Sequence, residues 1–296
     1  RKSWIDERVK SVLKNGNWMI RADDNGISHE GFKWKSVGVW TEAPDWNPTP
    51  ECGHGLHGQD KDHGGYIEGT RLLFCETDGP HINLGDKVKV KRSRILLINK
   101  LPEGLKFNGN LNLVGTNIKS LPKELKVLGD LNLSSTKIKN FSNGIKVNGN
   151  VTLIDAKIKS LPDNLKVNGD LNLSRSKIES LPKGLEVSGT LCIDYTNIKS
   201  LPNDLKVSEN ICASYSLVEK IPINFKSGLN LYLINSQITS LPKGLRVGGD
   251  LVVSNTKIEK ISNNIIVNRD MILYGCGLKS LPKGVIVNGG TYGLKK

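Results

Sequence analysis

No apolar run in this 296-residue chain approaches the length of about 20 residues that a membrane helix needs. No segment has the basic, apolar and small-residue layout of a secretory leader. Cysteine is scarce. Five residues, an odd number at irregular spacing, exclude a disulfide framework and fit a reduced cytoplasmic chain that makes no use of a membrane. Aromatic residues amount to 5% of the chain, and all five tryptophans fall between Trp4 and Trp46. All five histidines lie in the first hundred residues, which confines imidazole chemistry to that part. Acid is in deficit beyond residue 100. Of the formal net charge of +13, residues 101–296 carry +11 and the first hundred only +2.

The basic part is a repeat. From Leu101 to Gly290 the unit L-P-x-x-L-x-V-x-G-x-L-x-L-x-x-T-x-I-x-S returns every 20 residues without an insertion or deletion. A fixed short period means one coil per unit, each stacked only on its neighbours. Apolar residues at positions 1, 5, 7, 11, 13 and 18 must share an interior. The alternation in Leu171-Asn172-Leu173 has the period of a strand, so stacked coils predict a parallel sheet, with a second short strand at Leu165-Lys166-Val167. Glycine at position 9 (Gly129, Gly169, Gly189) suits either a positive φ or close approach between coils. The Thr or Ser of position 16 (Thr136, Ser176, Thr196) fits a buried backbone partner; no His or acid accompanies it at fixed spacing, so it is not a nucleophile. Two coils depart from the unit, at Glu209 and at Ser227-Gly228-Leu229.

The frame Leu131-x-Leu133-x-x-Thr136-x-Ile138-x-x-Phe141 resembles the 20-residue bacterial leucine-rich repeat, with Thr or Ser where that family has Asn. The resemblance covers residues 101–290 and implies a sheet face that binds macromolecules. The expected fold is an α+β head domain and solenoid cap over 1–98, followed over 99–296 by a β-rich leucine-rich-repeat solenoid of about nine and a half 20-residue coils.

Repetition turns recurrent lysines into stripes. Position 6 carries one set, position 17 another (Lys137, Lys157, Lys177) and position 19 a third (Lys119, Lys139, Lys159), and such stripes fit a phosphate backbone or a solvated face. On the sheet face, Asn and Ser give way to Tyr195, Tyr215, Tyr232 and Tyr274, a binding surface or a sheet-stabilising one. The partner expected is a protein or a nucleic acid, the chain itself a monomer without a cofactor.

In the head, Ser3, Asp6 and Glu7 open a helix with Ile5, Val9, Val12 and Leu13 on one face, ended by Asn15-Gly16. Strands are predicted at Trp18–Arg21, Phe32–Trp40, Arg71–Glu76, Lys87–Lys91 and Ile95–Ile98. The Val88-x-Val90 alternation predicts a basic outer face at Lys87, Lys89 and Lys91. Trp34, Trp40 and Trp46 are assigned to the core.

Between these strands runs Glu42-Ala43-Pro44-Asp45-Trp46-Asn47-Pro48-Thr49-Pro50-Glu51-Cys52-Gly53-His54-Gly55-Leu56-His57-Gly58. Its pattern resembles a head module of uncharacterised bacterial and phage proteins, which implies no particular activity. The loop concentrates reactive side chains among permissive glycines, and any pocket is expected there, with His54 and His63 at its rim and His29 and His81 on unrelated surface. Cys52 and His57 have the chemistry of a thiolate–imidazolium nucleophile, with Glu42, Asp45 and Glu76 as the acids within reach. Cys52, His54, His57 and His63, with Asp60 and Asp62, also have zinc-ligand chemistry, although their spacing matches no standard zinc frame, and no metal is assigned. The G-x-G-L-H run with a later strand ending at Glu76 resembles ADP-ribosyltransferase cores, which implies an NAD-using head with Gly53, His54 and Gly55 at the cofactor; the first-strand Arg or His of that family has no counterpart here. An interaction protein and a nucleotide- or nucleic-acid-modifying enzyme, transferase or hydrolase, are therefore both open.

Overall fold

The helix stops where its stop signal stands, but it already runs through Lys2 and Ser3, so Ser3 lies inside it rather than opening it. In the computed structural model, which describes residues 2–28 and 31–295, α1 spans Lys2–Asn15 and stops where Gly16 turns to φ 75° and donates to the Val12 carbonyl. Val12 is buried beneath it, while Ile5, Val9 and Leu13 are half-buried. The chain forms two units, Arg1–Gly149 and Asn150–Lys296.

In the first unit the head strands are β1 (Trp18–Asp23), β2 (Thr41–Glu42), β3 (Leu56–Gly58), β4 (Arg71–Asp78), β5 (Ile82–Asn83), β6 (Val88–Val90) and β7 (Arg92–Ile98). They make an antiparallel sheet in the order β1-β4-β7-β2, with Trp18 opposite Glu76 and Asp23 opposite Arg71, and a smaller sheet in the order β3-β6-β5. Met19, Trp34, Leu56, Leu73, Val90 and Ile95 form the core.

Three expectations change. Phe32–Trp40 is not a strand: Gly31 and Gly38 take positive φ, and the Trp34 indole donates to Ser28 Oγ at 2.7 Å, so turns fix this segment. Of its tryptophans and Trp46, only Trp34 is buried; Trp40 lies under Arg92 and Arg94, and Trp46 faces Lys89. Lys89 does not point to solvent. It is fully buried, because its ammonium donates to the Glu51 and Gly53 carbonyls at 2.8 and 3.3 Å. Backbone oxygens satisfy the cation, and with that satisfied the alternation rule no longer decides its side.

The head closes the first coil. Gln59, fully buried, accepts from Asn112 N–H at 3.1 Å and donates to the Asn112 carbonyl at 2.6 Å, so its side-chain amide replaces a missing strand. Asn108 N–H donates to the Lys61 carbonyl and Asn117 N–H to that of Thr70. Trp18 packs edge-on to Phe107 at 5.3 Å.

Beyond the head the chain is a β-solenoid of about nine turns, with two-residue strands at positions 6–7 and 11–12. Pairing joins equivalent residues, Lys126 with Lys106 and Lys146 in the first unit, and Leu191 with Leu171 and Ile211 in the second. Positions 1, 7, 11, 13 and 18 are buried nearly throughout, as is position 5 except at Ile145, Leu165 and Val285. At position 16 the threonines and Ser216 donate to the position 13 carbonyl of their own coil, as Thr136 does to Leu133 and Thr196 to Ile193, both at 2.7 Å, whereas the buried Ser176 and Ser236 hydroxyls, expected to do the same, make no such bond.

Position 9 glycine serves close approach. A Cβ on Gly189 would meet Asp170 Oδ1 at 2.2 Å. That oxygen belongs to a ladder with no counterpart among the sequence expectations. The Asn or Asp of position 10 accepts from the position 10 N–H of the next coil: Asp170 from Thr190, Asn230 from Asp250 and Asp270 from Gly290, each at 2.7 Å. The irregular coils keep their pairing, since Leu229 N–H donates to the Glu209 carbonyl at 2.9 Å. Close approach there moves to Gly228, where a Cβ would meet Ser208 O at 2.0 Å.

Candidate functional site

The Pro-rich arm after β2 and the loop leading into β3 border a cavity of about 770 Å³ in the first unit. Cys52, Gly53, His54 and His57 line it from the loop, Asp45 from the arm, and Arg21 of β1 and Lys87 from the opposite elements. The loop is shaped from below. Lys89 holds the carbonyls of residues 51 and 53, Gly53 and His54 take φ of 93° and 52°, and Gly55 has no room for a side chain, since a Cβ would lie 2.4 Å from Lys89 Cγ. Gly55 thus serves the lysine beneath it.

Three cations surround His57, and burial together with Lys87, Arg21 and Lys89 depresses its imidazole to about 4. The Gly53 backbone acts weakly against this depression, and the ring Nε2 is enclosed without a partner. His57 is therefore neutral at pH 7. Cys52 is exposed, and no hydrogen bond joins it to His57. Both groups border one cavity, but the nucleophile pair is not assembled.

Arg21 lies 4.3 Å over the Trp34 ring and donates to Ser28 Oγ at 2.6 Å; burial lowers it to about 10. Its neighbour Asp23 is bidentate to Arg71, both contacts at 2.7 Å.

The remaining acids and histidines are engaged elsewhere. Asp45 lies 3.3 Å from His54, and Glu42 pairs with Lys91. Glu76 is held by Arg8 and by Arg94, away from the cavity; burial pushes its carboxyl up, but the two guanidinium hydrogen bonds outweigh that and hold it below the usual range. His63 and His81 both turn Nδ1 to the buried Asp60, at 2.7 and 3.0 Å, and His81 Nε2 reaches Thr77 Oγ1 at 2.8 Å. His63 is thus absent from the cavity rim, and His81 belongs to a half-buried network rather than to unrelated surface. His29 lies outside the described residues. Cys52, His54, His57 and His63 do not converge, and among the described residues no three His, Cys, Asp or Glu side chains are placed to hold a metal.

On the second unit, Tyr195 and Tyr215 occupy position 15 of successive coils. Their rings stack at 4.7 Å and 3°, each about half exposed. Both backbones are left-handed, with φ of 57° and 56°, where Asn235 and Asn255 stand in later coils. Leu217 and Ile223 are exposed beside this stretch of chain, and Tyr274 is exposed further on, whereas Tyr232 is half-buried and receives a bond from Asn230. Lys157, Lys159 and Lys177 are exposed on this unit, as are Lys119, Lys137 and Lys139 on the first. Position 6 differs between units. Lys106, Lys126 and Lys146 are in register on the first, while Glu186 binds both Lys166 and Lys206 at 2.8 Å on the second.

Compared with protein-family models, curated proteins and solved structures, the chain matches none.

Proposed function

We propose that the chain is an interaction protein whose solenoid, of the leucine-rich-repeat class, binds a macromolecular partner while the head adds specificity. The observation that carries this reading is the Tyr195–Tyr215 stack. A bulky residue with positive φ costs free energy that Asn or Gly avoids. Two successive coils nevertheless place tyrosine there and leave both rings half exposed. The same coils exchange the position 17 lysine for Asn197 and the exposed Leu217. Aromatic anchors with apolar neighbours and reduced charge are the make-up of a protein-binding centre. The five free thiols, with Cys192 and Cys212 side by side yet unlinked, support a reducing, cytoplasmic setting.

Tyr195→Asn and Tyr215→Asn test this, since Asn is already accommodated at the same φ in neighbouring coils. Loss of the stack, worth about 0.5–1.5 kcal/mol, is offset by relief of backbone strain, so thermal stability should hold. Recovery of the native partner from cell extract should fall at least tenfold. Recovery unchanged in the double variant would end the reading.

The in-register row Lys106, Lys126 and Lys146 favours a second reading, polyanion binding on the first unit. On duplex DNA, log affinity should then fall with log salt by about 0.9 per phosphate neutralised. Charge reversal of the exposed Lys126 and Lys146 should flatten that slope without unfolding, and reversal of Lys137 and Lys139 tests the neighbouring stripes in the same way; an affinity insensitive to salt would leave these lysines as a solvated face.

A further inference from the structure

The cavity in the first unit has a charge imbalance that the fold does not explain. Arg21 and Lys87 line it, and Lys89 lies buried under its loop. Among the described residues, none of the three has a carboxylate within ion-pair distance. The nearby acids are committed to other cations: Asp23 to Arg71, Glu42 to Lys91, Glu76 to Arg8 and Arg94. Asp45 faces His54, and Glu68, exposed at the cavity wall, is the one lining acid without such a partner.

Burying cations without counter-charge is costly, and beyond its bond to Ser28 and its stacking on Trp34, Arg21 keeps its Nε enclosed without a hydrogen-bond partner. The loop contributes in the same sense. A trans peptide points its N–H opposite to its C=O, so with carbonyls 51 and 53 turned to Lys89, the N–H groups of Cys52 and His54 face away from it. Cys52 and His54 themselves line the cavity. Phe32, Tyr66, Ile67 and Pro44 supply ring and apolar surface on the remaining walls. A volume of about 770 Å³ lies within the range of about 300–1,000 Å³ typical of small-molecule sites.

We propose that this cavity binds a small phosphate monoester bearing a ring, with the phosphate on Arg21 and Lys87 and the ring against Phe32 and Tyr66. The donors argue for phosphate over carboxylate: Arg21 and Lys87, with Lys89 behind them and the lining acids Asp45 and Glu68 at exposed positions, offer several charge-assisted hydrogen bonds that the three oxygens of a phosphate carrying about −1.5 to −2 use better than a carboxylate does. His57 reports occupancy. A bound dianion neutralises the field of Lys87 and Arg21, so the imidazole titrates at higher pH when the site is filled. This assignment uses none of the solenoid residues and stands or falls apart from the partner reading.

The test uses the full chain with adenosine monophosphate, inorganic phosphate, adenosine and succinate as probes. Binding is followed by tryptophan fluorescence, to which Trp34 beneath Arg21 contributes, and by the ring protons of His57 in NMR. Adenosine monophosphate should bind more tightly than inorganic phosphate, adenosine alone should not bind, and the His57 titration should move upward on saturation. Lys87→Met, at a half-exposed position that leaves the fold intact, should weaken binding at least tenfold, and Arg21→Lys should do the same. Lys91→Met, outside the cavity, should have no effect. Failure of both phosphate probes at millimolar concentration, unchanged affinity in Lys87→Met with Arg21→Lys, succinate binding as tightly as phosphate, or a His57 titration unmoved by saturating nucleotide would each overturn the proposal.

Discussion

His57 shows what a single side chain inherits from its surroundings. Its ordinary value is 6.5, and burial beside Lys87, Arg21 and Lys89 brings it to about 4 in the folded head. The unfolded chain therefore takes up a proton near pH 6.5 that the folded unit refuses until about pH 4. Stability should fall as pH drops through that interval and level off below it, because both states are then protonated. Urea midpoints read from tryptophan fluorescence between pH 7 and 4 should show the fall, and His57→Gln should remove that part of it; parallel curves for the two proteins would contradict the assignment. Asp60 and Glu76, held low by their partners, act at more acid pH and in both proteins alike. The sequence displayed the loop that carries His57, because cysteine, histidine and glycine crowd there among stiff prolines. It did not display the cations. Lys89 sits in a Lys-Val-Lys-Val-Lys run that reads as solvent-facing, and becomes legible only once β3 and β6 are paired, while Arg21 stands in a strand buried on both faces, where alternation assigns it no side.

At the scale of the element, each coil is defined by what it withholds as well as by its leucines. Gly189→Ala should destabilise by about 1–3 kcal/mol, because its Cβ would overlap Asp170 Oδ1. Asp170→Ala should cost about 0.5–1.5 kcal/mol by leaving Thr190 N–H to water. Combined, they should cost less than their sum, since the second substitution removes the atom that the first collides with; strict additivity in a denaturation cycle would show that the glycine answers to the backbone instead. The cap is open to a similar test. Gln59→Leu preserves bulk but strands the N–H and C=O of Asn112, and should lower stability by about 2–4 kcal/mol, with hydrogen exchange at Leu111–Leu113 rising first. The apolar positions of the coil could be read from their spacing because nearly all of them are buried, the exceptions falling at position 5 of two coils and towards the C-terminal end. The position 10 ladder could not, since Asn and Asp on an exposed corner look the same whether they face water or the next coil.

The whole molecule combines two kinds of surface that one sequence pattern would not bring together: a cavity walled by cations in the first unit, and exposed tyrosines on the second. The repeat period indicated the solenoid at once. In the head the strands at Trp18–Asp23, Arg71–Asp78, Val88–Val90 and Arg92–Ile98 were placed by their apolar patterns, whereas the two- and three-residue strands at Thr41–Glu42, Leu56–Gly58 and Ile82–Asn83 were too short to read, and Phe32–Trp40 was misread because its turns lie between apolar residues. The ladder of position 10 also has a mechanical meaning. From Asn150 onward strand pairing at positions 11–12 joins every coil to the next, and a position 10 side chain adds a bond to the following N–H at each junction but the one between Thr190 and Asn210, which is the weaker for it. Pulled from the C-terminal end by an optical trap, the second unit should yield as a staircase rather than in a single rupture. Each step should release about 65 Å, the extended reach of 20 residues less the coil spacing they occupied. Such a unit lengthens under load while its remaining coils stay intact, so it acts as an extensible tether.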